Sequence, residues 1–181
     1  MHPEFIRKAI HTLIGVGFAG APFILTRDEV ILAASIFTAL TLVAELLSRH
    51  LPLGRELGRS GSFFFALGIS ITAYLFLPQL VWVYVFGVLT VALADSAAAL
   101  VGTVAGRTPF IVFRTRKTAE GSLAFFAAIM ALLLVMVPER DMLRLFAVAV
   151  LLTNIELFSV RGLDNLTLPV IGSFLYLVVT S

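Results

Sequence analysis

Five acidic side chains, Glu45, Asp95, Glu120, Glu156 and Asp164, fall inside or at the edges of long apolar runs. Ionisable residues in such places are costly and usually face a partner, a cavity or water. In the stretch DSAAALVGTVAGR, Asp95, Ala98, Gly102 and Gly106 recur at steps of three and four. That spacing puts them on one helical face, a smooth stripe headed by a carboxylate. The segment that follows, RTPFIVFRTRKTAEGS, supplies Arg107, Arg114, Arg116 and Lys117 and ends at Thr118, Glu120 and Gly121. Arginine forks and a lysine point charge suit phosphate oxygens. A helix starting at KTAEG is expected to add free backbone N–H groups and a positive dipole end. Magnesium is usually held by one or two carboxylates together with substrate phosphates. Asp95 and Glu120, flanking the basic loop, are therefore expected to ligate the metal of a nucleotide–magnesium site.

Each motif also has a plainer reading. Ala98, Gly102 and Gly106 form a small-xxx-small pattern that lets helices pack closely, and the bases of the loop are suited to anchoring at a membrane surface. Asp164-Asn165 reads as a helix N-cap. Arg7, Lys8 and His11 read as an interfacial anchor, with Arg7 and His11 on one face. Glu45 and Arg49 form an i, i+4 structural pair.

The elements that position these residues follow from composition. The chain has 181 residues, 60% hydrophobic and 13% charged, with mean hydropathy +1.05. Soluble domains carry about 25% charged residues, so this is the composition of a membrane protein. A spanning helix needs about 20 apolar residues, which leaves no length for a separate soluble domain and excludes Rossmann, TIM-barrel and zinc-finger folds. Apolar runs at 9–26, 29–48, 63–78, 80–105, 121–138, 143–159 and 164–180 predict an all-α, polytopic integral membrane protein of about seven transmembrane helices. Residues 1–181 form a single membrane-embedded domain, with a tight turn at Pro78. With the N-terminus cytoplasmic, that side carries Arg7, Lys8, Arg49, Arg55, Arg59, Arg107, Arg114, Arg116, Lys117 and Arg161, against Arg27, Arg140 and Arg144 opposite. The positive-inside bias selects that orientation, with both long loops on the cytoplasmic side.

Several other signals dissolve in this context. The pI is about 9.4, yet the bases lie between apolar runs rather than in one patch, so no nucleic-acid partner is expected. There is no cysteine, which excludes disulfides, thiolate metal sites and cysteine nucleophiles. Gly15-Val-Gly17-Phe-Ala-Gly20 has the GxGxxG form but lies within an apolar span, not after a strand. No Walker A, HRD, DFG or HExxH sequence occurs. Ala19-Gly-Ala21 resembles a signal-peptide cleavage site, but Pro22 follows it, so the first helix is expected to be retained. No internal repeat of the inverted-repeat transporter kind is visible.

The run DSAAALVGTVAGR, followed by Thr108 to Arg116 and then KTAEG, resembles the CTP-binding signature of the dolichol kinase, phytol kinase and yeast-type diacylglycerol kinase family. RKAIHTLIG at the start resembles that family's RKxxH segment, and IELFSVRGLDNLTLP its acidic-to-DNxxxP element, so the likeness covers essentially the whole chain. It implies transfer of phosphate from CTP to a membrane lipid alcohol, a polyprenol, phytol, geranylgeraniol or diacylglycerol, with Mg2+ as cofactor. It further implies a nucleotide site drawn from Arg7, Lys8, Ala98, Gly102, Gly106, Arg114, Arg116, Lys117, Thr118, Gly121 and Asn165. Lys117 and Glu120 would act in catalysis, and Asp95, Glu156, Asp164 and His11 are the candidate bases for the alcohol proton. Arg116 stands where some members have lysine. The implied setting is an integral membrane enzyme with its nucleotide site on the cytoplasmic side, in the cell membrane of a prokaryote or the endoplasmic reticulum or plastid of a eukaryote. A homo-oligomer is compatible with the sequence. KTxEG also occurs in CTP:phosphatidate cytidylyltransferases, which makes a CDP-lipid synthase the alternative. A small ion-coupled transporter, with Asp95, Glu156 and Asp164 along an ion path, is the alternative of another class.

Overall fold

The computed structural model describes residues 3–48, 60–113, 115–138, 141–160 and 162–181. The chain starts with helices α1 (Pro3–Gly20), α2 (Arg27–Ser48) and α3 (Ser60–Phe76). A single long rod follows, made of α4 (Val81–Leu89), a π-helical stretch Thr90–Asp95 and α5 (Ser96–Val104). Two short strands, β1 (Pro109–Val112) and β2 (Thr115–Thr118), lead into α6 (Ala119–Met136), α7 (Met142–Phe158) and α8 (Asp164–Thr180).

Helix ends follow the local chemistry. Pro3 is tolerated because the first turn needs no N–H from it, so α1 starts well before the apolar run at residue 9 and takes Arg7 and Lys8 into the helix. It stops at Gly20, earlier than the expected residue 26, because Pro22 forces a 3-10 turn over Ala21–Phe23. Thr26 and Glu29 cap α2 reciprocally: Glu29 Oε2 accepts from the Thr26 amide at 2.8 Å, and the Glu29 amide donates to Thr26 Oγ1 at 3.4 Å. Asp141 caps α7 by accepting from the amides of Leu143 and Arg144.

The expected all-α architecture holds except at the basic loop, which is an antiparallel hairpin pairing Pro109 with Thr118, Phe110 with Lys117, Ile111 with Arg116 and Val112 with Thr115. Ile111, Val112, Thr115 and Thr118 are β-branched, and that residue type favours the pleated conformation. Three helical stretches, Arg27–Leu47, Val81–Val104 and Ala119–Met136, are long and apolar enough to cross a bilayer. Gly61–Phe76 and Asp164–Thr180 are apolar but shorter. The surface agrees with a lipid surrounding. On α2, Leu32, Ile36, Leu40, Val43 and Leu47 are exposed along one face while Val30 and Ala34 are fully buried on the other. A soluble helix would carry charge on that outer face, so this is a membrane protein.

Inside, α4 and α8 form the centre. Tyr84, Phe86, Phe65, Phe125, Ile129, Leu152 and Leu168 are fully buried there. Gly87 allows the close crossing of α4 and α8, since a Cβ at that position would collide with Ser173 and the Pro169 carbonyl. Three hydroxyls within this core find carbonyl partners, as a water-free interior favours. Tyr84 donates to the Phe18 carbonyl at 3.0 Å, Ser173 to the Val83 carbonyl at 2.9 Å and Tyr176 to the Met136 carbonyl at 2.8 Å.

Candidate functional site

The π-helical stretch ends on Asp95, and one-turn widenings of this kind concentrate at functional sites. Asp95 is 7% exposed, and its Oδ2 accepts from Lys8 Nζ, reaching across from α1. Next to it, Thr12 of α1 bonds to the Ala92 carbonyl at 3.0 Å and to Ser96 Oγ at 2.9 Å. Lys8 and Thr12, four residues apart, thus tie one face of α1 to the start of α5.

A second lysine–carboxylate pair lies opposite. Lys117 Nζ, delivered by β2, donates both to Glu156 Oε1 and to the Glu156 backbone carbonyl at the end of α7. Both side chains of this pair are about nine-tenths buried, and the other carboxylate oxygen, Glu156 Oε2, is buried without a hydrogen-bond partner. Asp164, at the start of α8, is half-buried and close enough to Asp95, Lys117 and Lys8 for their charges to act on it. Two lysines and three carboxylates therefore gather from α1, the π-helical stretch, β2, α7 and α8.

Asp95, Lys117 and Glu156 of this set line a cavity of about 480 Å3. Asp95 walls it from the end of the π-helical stretch, Ala98 and Gly102 from α5, Gly106 from just beyond α5, Arg116, Lys117 and Thr118 from β2, Gly121 from α6 and Glu156 from α7. The helix-seam reading of the glycine stripe and the cavity reading are both realised here. A Cβ on Gly121 would stand 2.9 Å from the Ala98 carbonyl and 3.4 Å from Gly102 Cα, and one on Gly102 would stand 2.9 Å from Thr118 Oγ1. The two glycines bring α5 and α6 into backbone contact at one edge of the cavity.

Other expected residues lie elsewhere. Glu120 does not wall the cavity. Its carboxylate accepts from the Thr108 amide at 3.1 Å and from Thr108 Oγ1 at 3.0 Å, closing the base of the hairpin, whereas Glu156 lines the cavity with Asp95. The first amides of α6 are also not free. Ala119 donates to the Thr108 carbonyl, and Gly121 donates to Thr118 Oγ1 at 3.1 Å, so the Thr118 hydroxyl is a helix cap. Arg7 and His11 turn toward α3. His11 stacks on Phe65 with centroids 4.7 Å apart and sits 3.4 Å from Ser62 Oγ, and the Arg7 guanidinium lies beside Gly61. Asn165 clamps α8 to α3 by donating to the Gly61 carbonyl at 3.0 Å. The N-cap position of α8 is Leu163, with no side-chain cap, so Asp164-Asn165 is not the cap its sequence resembles. Arg114 and the Arg49 partner of Glu45 lie outside the described residues.

The sequence reading missed Ala99, Thr103 and Ser122, which complete the cavity wall. Each is the immediate neighbour of a stripe or KTAEG residue, and a wall two residues wide was the available signal. It also missed both lysine–carboxylate pairings, which join residues 87 and 39 positions apart.

The arrangement can bind a polyanion only with help. On the cavity wall Lys117 and Arg116 are formally balanced by Asp95 and Glu156, so a triphosphate entering it meets no net positive charge from the lining side chains. Among the described residues no group of three or more acids and histidines could hold a metal unaided. The unpartnered Glu156 Oε2 and the neighbouring Asp95 do fit the one or two carboxylates that magnesium takes when phosphates complete its shell.

Along nearly its whole length the chain is similar to a phytol kinase of Synechocystis sp., with 31% identity over 193 residues covering 96% of this chain and 82% of the relative. It is similar also to an uncharacterised protein of Methanocaldococcus jannaschii, with 30% identity over 184 residues covering 95% of this chain and 92% of the relative. No family model and no solved structure matches it.

Proposed function

Because the chain belongs to the phytol kinase family, we propose that it transfers the γ-phosphoryl group of CTP to the hydroxyl of a membrane lipid alcohol. The observation that carries this reading is a cavity lined by Gly102, Gly106 and Gly121 together with the Lys117–Glu156 pair and Asp95, which Lys8 holds from the other side. Phosphoryl transfer asks little of a protein beyond positioning and charge stabilisation, and that is what this residue set provides. Lys117 and Arg116 hold phosphate oxygens, with Lys8 at the acceptor side. Gly102, Gly106 and Gly121 let the nucleotide approach the backbone. Asp95 and Glu156 would hold magnesium, which supplies the positive charge that the balanced side chains lack.

In the step itself the alcohol oxygen forms a bond to the γ-phosphorus. The bond from that phosphorus to the β,γ-bridging oxygen breaks, and CDP leaves with the electron pair. The hydroxyl proton passes to the carboxylate cluster. Asp95 and Glu156 are each tied to a lysine, whereas Asp164 has no ion pair among the described residues, which makes it the member able to take the proton. Seven helices cross the bilayer in this reading, the shorter ones at the lower end of spanning length. The N-terminus and the hairpin lie on the cytoplasmic side, where nucleotide is available.

The test is a panel of γ-labelled CTP, ATP, GTP and UTP against phytol, geranylgeraniol, a polyprenol and diacylglycerol, with and without magnesium. Label should enter the lipid phase from CTP, only with magnesium. Equal transfer from all four nucleotides would remove the CTP assignment, and no transfer to any alcohol would remove the kinase. In the same assay Glu120→Gln is expected to leave the magnesium requirement unchanged. It should cost less than about tenfold in rate, since one weakened hydrogen bond to Thr108 is worth about 1 kcal/mol. A rise in the magnesium concentration needed would return Glu120 to the metal.

A further inference from the structure

The polar cavity has an apolar neighbour that phosphate chemistry does not use. Between α1 and α5 lies a groove of about 310 Å3 walled by Phe5, Ala9, Leu93, Ala97 and Leu100, with Lys8 at its polar end. Ala99 and Thr103 line both this groove and the polar cavity, so α5 is the partition between them. The ion pair spans that partition: Lys8 belongs to the groove and Asp95 to the cavity.

We propose that this groove holds the single hydrocarbon chain of an isoprenoid alcohol and delivers its hydroxyl to the Lys8–Asp95 pair. The inference takes its acceptor class from the kinase reading and adds where the acceptor lies and which acceptor fits. The groove meets the reacting cavity through α5, and the Lys8–Asp95 pair is the charged contact across that boundary. The other polar groups on its wall are engaged: Thr12 is bonded to Ser96 and to the Ala92 carbonyl. The wall therefore offers a hydrocarbon chain an apolar surface, and offers the two ester carbonyls of a diacylglycerol no spare donor apart from Lys8. Its volume is at the small end of ligand pockets, which run from about 300 to 1,000 Å3, and so suits one chain rather than two. Ala9, Leu100 and Thr103 are exposed, so a longer chain continues into the surrounding lipid and only the units nearest the hydroxyl are read.

The experiment is photolabelling of the full-length protein in detergent with a diazirine-tagged geranylgeraniol, mapped by mass spectrometry, alongside phytol kinetics. Label is expected in α1 and α5, displaced by phytol and not by diacylglycerol. Ala97→Phe, which fills the groove from a position outside the polar cavity, should raise KM for phytol roughly tenfold, the change expected when a buried chain loses about two methylene contacts. KM for CTP should stay unchanged. Leu100→Trp, at a half-exposed position, gives the same test if Ala97→Phe fails to fold. Label mapping to α6, α7 or α8, an unchanged phytol KM in a folded groove variant, or displacement by diacylglycerol as effective as by phytol would each overturn the proposal. Phosphate transfer with label elsewhere would leave the kinase standing without this groove. Groove labelling without any transfer would remove the kinase and leave an isoprenoid-binding groove.

Discussion

Replacing Lys117 with methionine is expected to lower phosphoryl transfer by at least about 10³-fold, the scale on which one cation placed against a transferring phosphoryl group acts in related chemistry. Lys117 is the best-placed candidate for that cation because β2 carries it into the cavity wall and Glu156 fixes it there at two points. The single variant also leaves Glu156 buried without its counter-charge, and breaking a buried pair from one side costs about 3–5 kcal/mol of stability. The double variant Lys117→Met/Glu156→Gln separates the two effects. It should recover thermal stability in detergent toward that of the parent while remaining inactive. Lys117→Arg should be weak as well, because a planar guanidinium does not replace a point charge held at two sites. Restored activity in the stable double variant would move the phosphate contact away from Lys117.

Asp95→Asn is the second large effect, a fall in kcat of at least about 10²-fold, since the change removes the carboxylate that anchors Lys8 and that is proposed to hold the metal. The variant keeps the side-chain volume beside Ala98 and should insert into the membrane as the parent does. Its signature differs from that of Lys117→Met. With Asp95 neutral, Lys8 is released toward the phosphates, so KM for CTP should stay level or fall while kcat drops and more magnesium is needed for half-maximal rate. An Asp95→Asn enzyme with normal kcat and normal magnesium dependence would exclude Asp95 from the metal.

Much of this fold is written in the sequence, because hydrophobic runs and helix punctuation are local signals. The run containing Asp95 predicts one rod over 80–105, and the rod Val81–Val104 is observed. The Thr26–Glu29 capping box and the Pro22 stop are local signals too, although the expected first helix runs past Pro22 to residue 26. The hairpin is not, because its strands are only four residues each and arginine and lysine mask the β-branched pattern. The π-helical widening before Asp95 has no local signature; it depends on α1 packing against Ala92 and on Thr12 capturing that carbonyl.

The candidate site is legible in its residue types and not in its pairings. Composition and spacing single out Asp95, Lys117, Glu156 and the glycine stripe. Which lysine meets which carboxylate depends on helix packing across the whole chain, and no spacing rule reaches that far. Glu120 shows the cost of reading locally. Beside a basic cluster it looks like a metal ligand, yet Thr108, brought back by the hairpin, occupies its carboxylate. Arg7 and Lys8 are neighbours in sequence, but the helical turn between them sends Lys8 to Asp95 and Arg7 to α3.

The central claim is tested most directly by incubating the purified protein with phytol, phosphatidate and magnesium, using CTP labelled in parallel at the α- and at the γ-phosphate, and following each label into the lipid phase. The account predicts γ-label in phytyl monophosphate and no α-label in any lipid. Transfer of α-label to phosphatidate would make the protein a cytidylyltransferase, and transfer of neither label would contradict the kinase and favour the ion-path reading of Asp95, Glu156 and Asp164.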